Sequence, residues 1–97
     1  MLKDTFSIPL THPSLDGHFP GNPIVPGVVL LDNLLTLFNN RGFKVVTLVK
    51  SKFIKPVQAD QLIEVELNSY NNMIDFELKS GGDLIACGQV IVNLLSL

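Results

Sequence analysis

One segment of this 97-residue chain constrains its fold more than any other. Residues 28 to 40 read Val-Val-Leu-Leu-Asp-Asn-Leu-Leu-Thr-Leu-Phe-Asn-Asn, apolar over most of a helical circumference. A helix of that kind is wrapped by other structure rather than laid on a surface. Pro26 suits its start, and Asn39-Asn40-Arg41-Gly42 supplies its stop, so the helix is expected over Gly27 to Asn40. Its one polar stripe is Asp32, Thr36 and Asn40, spaced i, i+4, i+8.

The material available to wrap it is β. Residues 2 to 10 read as a short first strand and residues 43 to 55 as a long strand with imperfect alternation. Ile63, Val65 and Leu67 alternate with Glu64 and Glu66, and Ile74, Phe76 and Leu78 with Asp75, Glu77 and Lys79. Residues 84 to 92 are nearly all apolar, as expected of a strand covered on both sides. Asn71-Asn72 and Gly81-Gly82 are hairpin turns. The order is strand, loop, helix, then an antiparallel meander, which one sheet curling round one helix satisfies.

Composition says what else is needed. Apolar residues make up 46% with a mean hydropathy of +0.36, and charged residues only 16%. A single domain this small buries only about 60–65% of its unfolded surface, too thin a core for that many apolar side chains. No stretch approaches the ~18 unbroken apolar residues of a spanning helix. Met-Leu-Lys-Asp-Thr at the start carries an acid and no apolar h-region, so no signal peptide is expected. The expected cover is a second copy of the chain. The net charge of −2 argues against broad nucleic-acid binding. The single cysteine, Cys87, lies in an apolar run and reads as a buried small hydrophobe, consistent with a reducing, cytoplasmic setting.

Chemistry concentrates between Thr11 and Gly27, a loop holding four of the six prolines and three glycines. So many breakers preclude a helix and stiffen the backbone. His18 is the group there able to accept a proton near neutral pH; a structural loop histidine is the alternative. Asp32 interrupts Val28-Val29-Leu30-Leu31 and Leu34-Leu35. Either its stripe faces solvent, or it faces a cleft where desolvation would keep the acid protonated. Gly27 sits where the loop enters the helix, and its N–H is among the unpaired donors that favour a developing negative oxygen; a glycine needed only for close backbone packing is the alternative, and the two are compatible. His12, Asp16 and His18 make a poor metal set because Pro13 breaks the helical spacing, so no metal site is expected. No phosphate-binding glycine loop or nucleophile-elbow serine is present. Arg41, Lys44, Lys50, Lys52 and Lys55 fall within fifteen positions free of acids. They read as a solvated strand face or as a docking patch for an acidic partner.

The run Gly17-His18-Phe19-Pro20-Gly21-Asn22-Pro23-Ile24-Val25-Pro26-Gly27-Val28-Val29-Leu30-Leu31-Asp32 resembles the active-site motif of the FabA/FabZ-type 3-hydroxyacyl-[acyl-carrier-protein] dehydratases. Lys50-Ser51-Lys52-Phe53-Ile54-Lys55-Pro56-Val57, followed by Asp60-Gln61-Leu62, resembles the strand and turn after that family's helix. The resemblance implies the α+β hot-dog fold, an antiparallel sheet wrapped round one central helix, over residues 1–97. It implies dimers or larger assemblies with active sites at the subunit interface. His18 matches the catalytic histidine, Asp32 the catalytic acid contributed by the other subunit, and Gly27 the glycine whose N–H polarises the thioester carbonyl. Phe19, Pro26, Val28, Leu31, Leu35 and Thr36 are the expected substrate-binding residues, and the basic run the expected dock for acyl carrier protein. No cofactor is implied, since a phosphopantetheine arm arrives with the substrate. The implied reaction converts a 3-hydroxyacyl thioester to the trans-2-enoyl thioester; a catalytically silent acyl-binding subunit and a thioesterase are the alternatives.

This chain departs from the pattern in four ways. It is short, Thr36 replaces a glutamine that helps hold the acid, and the Pro56-to-Asp60 turn is one residue shorter. Its acid is that of the isomerising subgroup, whereas its loop resembles the non-isomerising one. Compact relatives with a similar loop occur in accessory pathways such as aryl-polyene synthesis.

Overall fold

The computed structural model describes residues 2–15 and 24–94. Strands β1 (Leu2–Phe6) and β2 (Ile24–Val25) flank a short 3₁₀ turn at Pro13–Leu15. Helix α1 (Gly27–Asn40) is followed by β3 (Phe43–Phe53), β4 (Val57–Gln58), β5 (Ile63–Tyr70), β6 (Met73–Ser80) and β7 (Asp83–Leu94). The main sheet is antiparallel in the order β1-β5-β6-β7-β3, and β2 pairs with β4 in a small ribbon.

The helix ends fall where the sequence puts them. Pro26 caps the start with extended backbone, and the Gly42 φ of 86° turns the chain out of α1. The turn residues Asn71, Gly81 and Gly82 all adopt positive φ, joining β5 to β6 and β6 to β7 as tight hairpins. The imperfect alternation of residues 43 to 53 has a direct cause. The pairing of β3 with β7 shifts register after Val45 and after Leu48, leaving Val46 and Val49 as extra residues.

Three expectations are corrected. The first strand ends at Phe6, and Ile8 instead enters the core at 2% exposure while its carbonyl accepts the Asp60 N–H. The long strand does not lead the meander: β3 crosses to pair with β7, and β1 takes the place beside β5. β7 is covered on one face only. Ala86, Val90 and Val92 are buried, whereas Cys87, Gln89 and Ile91 are half-buried on the other face, because α1 covers just one side. Cys87 is therefore not a core residue; its register places it between Glu77 and Lys52.

The core lies between α1 and the inner face of the sheet. Val29, Leu30, Leu34 and Phe38 of the helix are buried against the face that carries Ile63, Val65, Leu67, Ile74, Phe76, Leu78 and Val90. Each such side chain contributes about 1.5–3 kcal/mol. The opposite face carries Glu66, Asp75, Glu77 and Lys79, the clean alternation of an antiparallel sheet with one solvated side.

One flank of this assembly is not covered by the chain itself. Val28 is 71% and Leu35 44% exposed on α1, and Val46, Leu48, Val49 and Phe53 are 44–55% exposed along β3, an eleven-residue sheet edge. The helix is thus wrapped on one side, not over most of its circumference. A long apolar edge strand beside an apolar helix flank is a surface suited to another chain.

Candidate active site

The start of α1 is held from three directions. Ile24 pairs with Gln58 and Val25 with Val57, so the β2–β4 ribbon delivers the chain to Pro26. Val25 and Val57 are buried at 4% and 1% exposure, which anchors that ribbon in the core. The turn after β4 is closed by polar contacts. Gln61 Oε1 accepts the Gln58 N–H at 3.1 Å, Gln61 Nε2 donates to Ser80 Oγ at 2.8 Å, and Ser80 Oγ donates to the Leu62 carbonyl at 2.8 Å. Ser80 is the buried polar residue of the core and is fully used there.

At the helix start, the Pro26 carbonyl accepts the N–H groups of Val29 and Leu30. The Gly27 N–H belongs to the first turn, whose donors have no acceptor within the helix. Gly27 also makes room: a Cβ there would stand 3.0 Å from Phe53 Cζ, so the ring packs on the bare backbone. Beside this contact lies a cavity of about 430 Å³ lined by Val25, Gly27, Leu30, Phe53, Lys55 and Val57.

Further along the helix a second, smaller cavity of about 150 Å³ opens, walled only by carbon. Leu31, Leu34, Leu35 and Phe38 of α1 form one side. Val45 and Leu48 of β3, Val90 of β7 and Phe76 of β6 form the other. The expected substrate residues Val28, Leu31 and Leu35 share one helix face at i, i+3, i+7. Pro26 is exposed at the helix entrance. Leu48, Phe53, Phe38 and Phe76 are further wall residues that the sequence reading missed. A signal was present in Gly88, an isolated glycine inside a strand pattern, which marks close approach of another group.

Asp32 borders this apolar flank, four residues after Val28, and is exposed in the single chain. Any desolvation of its carboxylate therefore requires a second molecule laid over the flank. Thr36 Oγ1 donates to the Asp32 main-chain carbonyl at 3.2 Å, so its hydroxyl serves the backbone rather than the acid. Asn40 completes the stripe and is exposed too. His18 and Phe19 lie outside the described residues, as does Asp16. His12 stands at the turn before the 3₁₀ segment, its N–H on the Pro9 carbonyl and its carbonyl on the Leu15 N–H. Among the described residues no group of three His, Cys, Asp or Glu side chains converges as a metal site, and no helix is long and apolar enough to cross a membrane.

The basic run does not gather into one patch. Arg41, at the end of α1, donates to the Lys3 carbonyl at 2.9 Å and pairs with Asp4 at 3.3 Å, tying the helix to β1. Lys55 pairs with Asp83 at 3.2 Å, both largely exposed. Lys50 and Lys52 lie opposite Gln89 and Cys87, and Lys44 opposite Asn93. Lys44 and Lys52 are thus about 25 Å apart along β3.

Known proteins share this fold. The ApeI-like family, described as ApeI dehydratase, matches residues 2–89. FabZ 3-hydroxyacyl-[acyl-carrier-protein] dehydratase of Haemophilus influenzae (strain PittEE) is 40% identical over 47 residues, covering 48% of this chain and 32% of the relative. FabZ of a Bradyrhizobium species (strain ORS 278) is 31% identical over 75 residues, covering 65% and 49%. The chain thus spans half or less of the length of these curated relatives. The ApeI:P dehydratase heterocomplex of Xenorhabdus doucetiae superimposes with a TM-score of 0.77 at 19% identity, over 93% of this chain and 84% of that one. The fluoroacetyl-CoA-specific thioesterase FlK gives a TM-score of 0.62 at 11% identity, over 97% and 90%. At these identities the structural likeness shows the fold, which is the hot-dog. The match over residues 2–89 shows more: the chain belongs to the ApeI-like dehydratase family.

Proposed function

We propose that the protein dehydrates a 3-hydroxyacyl thioester, carried by acyl carrier protein, to the trans-2-enoyl thioester. The observation that carries this reading is the placement of Gly27 and Asp32. The unpaired donors of the helix start and the carboxyl group lie five residues apart, about 7.5 Å of helix rise. Gly27 lines the larger cavity, and Asp32 stands one turn before Leu35, which lines the smaller one. A thioester oxygen at the Gly27 N–H would gain from that donor and from the helix dipole as negative charge develops on it. Neutral His18 takes the proton from C2, whose C–H electron pair becomes the C2–C3 double bond. The C3–O bond breaks, the leaving oxygen takes the proton of Asp32, and water departs. His18 then loses its proton and Asp32 regains one through solvent, which resets the site.

The exposed flank of Val28, Leu35 and β3 supports a second hot-dog chain covering Asp32 and bringing the loop of His18 to it. In the simplest case that chain is another copy. Acyl carrier protein, being acidic, would be steered by Lys50 and Lys52, which lie two residues apart on β3 and, like Lys44 further along the strand, form no ion pair among the described residues. Cytoplasmic placement and fatty-acid or polyene-type lipid synthesis belong to the same proposal. Dehydration is read from enoyl absorbance with a 3-hydroxyacyl carrier-protein substrate. His18→Ala and Asp32→Asn, each still folded, are expected to abolish it; wild-type activity in either would refute the assignment.

A second reading has one observation in its favour. The Xenorhabdus relative is a heterocomplex, so this chain can be the silent partner of a non-identical subunit. Purified protein alone separates the two, since a silent subunit forms no enoyl product.

A further inference from the structure

We propose that Phe76, held in place over Gly88, sets the length of acyl chain the protein accepts. This presupposes the dehydratase reading and adds to it a limit on the substrate. The carbon-walled cavity between α1 and β3 is lined at the surface by Leu35 and Leu48, each 44% exposed, and in the interior by Leu34, Phe38, Val90 and Phe76, each at most 1% exposed. Phe76 and Gly88 are direct partners across β6 and β7. A Cβ on Gly88 would stand 2.5 Å from Cζ and 2.7 Å from Cε2 of the Phe76 ring. The ring therefore occupies the space that any other residue at position 88 would claim. A ring laid over a glycine on the neighbouring strand is pinned by the sheet itself. Phe76 is a fixed wall, not a gate.

The occupant follows from the chemistry of the walls. Water needs two to four polar partners to fill a cavity, and these walls offer none. Asp32 stands one turn before Leu35, which lines the cavity, so a chain reacting beside Asp32 can place its apolar tail there. The volume is about 150 Å³. At ~30 Å³ per carbon, close to the share of a water in the liquid, it holds about five carbons beyond the reacting three. The preferred substrate is then about eight carbons long, and longer chains meet the Phe76 ring.

The test measures kcat/KM for 3-hydroxyacyl-pantetheine thioesters of four to fourteen carbons in the wild type, Phe76→Leu and Val90→Leu. Calorimetric binding of the matching saturated acyl-pantetheines reads the cut-off without chemistry, and thermal melts confirm folding. Phe76→Leu is expected to raise the twelve-to-eight-carbon ratio about tenfold or more, since one methylene in a tight pocket is worth about 10-fold or more. Val90→Leu adds a carbon to the wall and is expected to lower the ratio. Length profiles that stay the same in both folded variants, in turnover and in binding, would overturn the proposal; that result also follows if a side chain of the covering subunit fills the cavity. Loss of turnover in the wild type with the binding cut-off still moved by Phe76→Leu would retain Phe76 as the gauge and remove the dehydratase reading.

Discussion

The same substitution at two glycines should have opposite consequences. Gly88→Ala places a methyl group closer to the Lys50 carbonyl oxygen than real side chains come, and 2.5 Å from Phe76 Cζ. The carbonyl is backbone in the β3–β7 ladder and the ring is buried, so neither can yield without breaking pairing or opening the core. Overpacking of this kind costs about 1–3 kcal/mol, and an immovable neighbour puts it at the upper end. For a chain of this size, about 3 kcal/mol lowers Tm by about 12–24 °C. Gly27→Ala meets only the tip of the Phe53 ring, at 3.0 Å, and that ring is 45% exposed and free to swing. Alanine is also favoured over glycine in a helix by up to about 1 kcal/mol. Its stability should stay within about 1 kcal/mol of wild type, or within about 8 °C. Its activity should not, because under the proposed function the thioester carbonyl approaches this same helix start. A displacement of that order lowers kcat/KM by about 10–100-fold. Thermal melts at fixed protein concentration, with enoyl formation on the same samples, read both. Melting temperatures within 3 °C of each other for the two variants would refute the packing argument.

Other outcomes follow from single contacts. Ser80→Ala leaves the Leu62 carbonyl and the Gln61 amide without their partner, and should destabilise by about 1–3 kcal/mol in denaturant titration. Lys79→Met removes a partly exposed ion pair to Glu66 at 3.4 Å and should shift stability by no more than about 1 kcal/mol. Leu35→Lys combined with Val49→Lys puts charge on the open flank and the β3 edge; sedimentation should show the proposed assembly, present in the wild type, lost in the variant while the circular dichroism of the fold is kept. Lys50→Glu with Lys52→Glu should raise KM for a carrier-protein substrate several-fold at low salt and leave pantetheine thioesters unaffected.

Much of this architecture is legible in local sequence because local chemistry decides it. The ends of α1 follow from Pro26 and Gly42, the hairpins from Asn71 and Gly81-Gly82, and the solvated sheet face from the alternation around Asp75 and Glu77. What could not be read is non-local. Nothing near Phe43 says that its strand will pair with β7 rather than lead into β5, because the partner lies some forty residues away. Burial of Cys87 was misjudged for the same reason, since an apolar run does not say which face receives α1. In the candidate site, the motif marked Gly27 and Asp32, but the strand walls of the two cavities, Phe53 in one and Leu48 and Phe76 in the other, come from strands whose spacing carries no such signature. Gly88 was the one local clue to that wall.

The claim at the centre of this account is that an imidazole from one chain and a carboxylic acid from another share a site at the helix start. Mixing His18→Ala with Asp32→Asn, each inactive alone, tests it most directly. After subunit exchange proven by mass, mixed dimers hold one intact pair, and the account predicts recovery of about a quarter of wild-type enoyl formation, one intact site in the half of dimers that are mixed. No recovery despite proven exchange would contradict it.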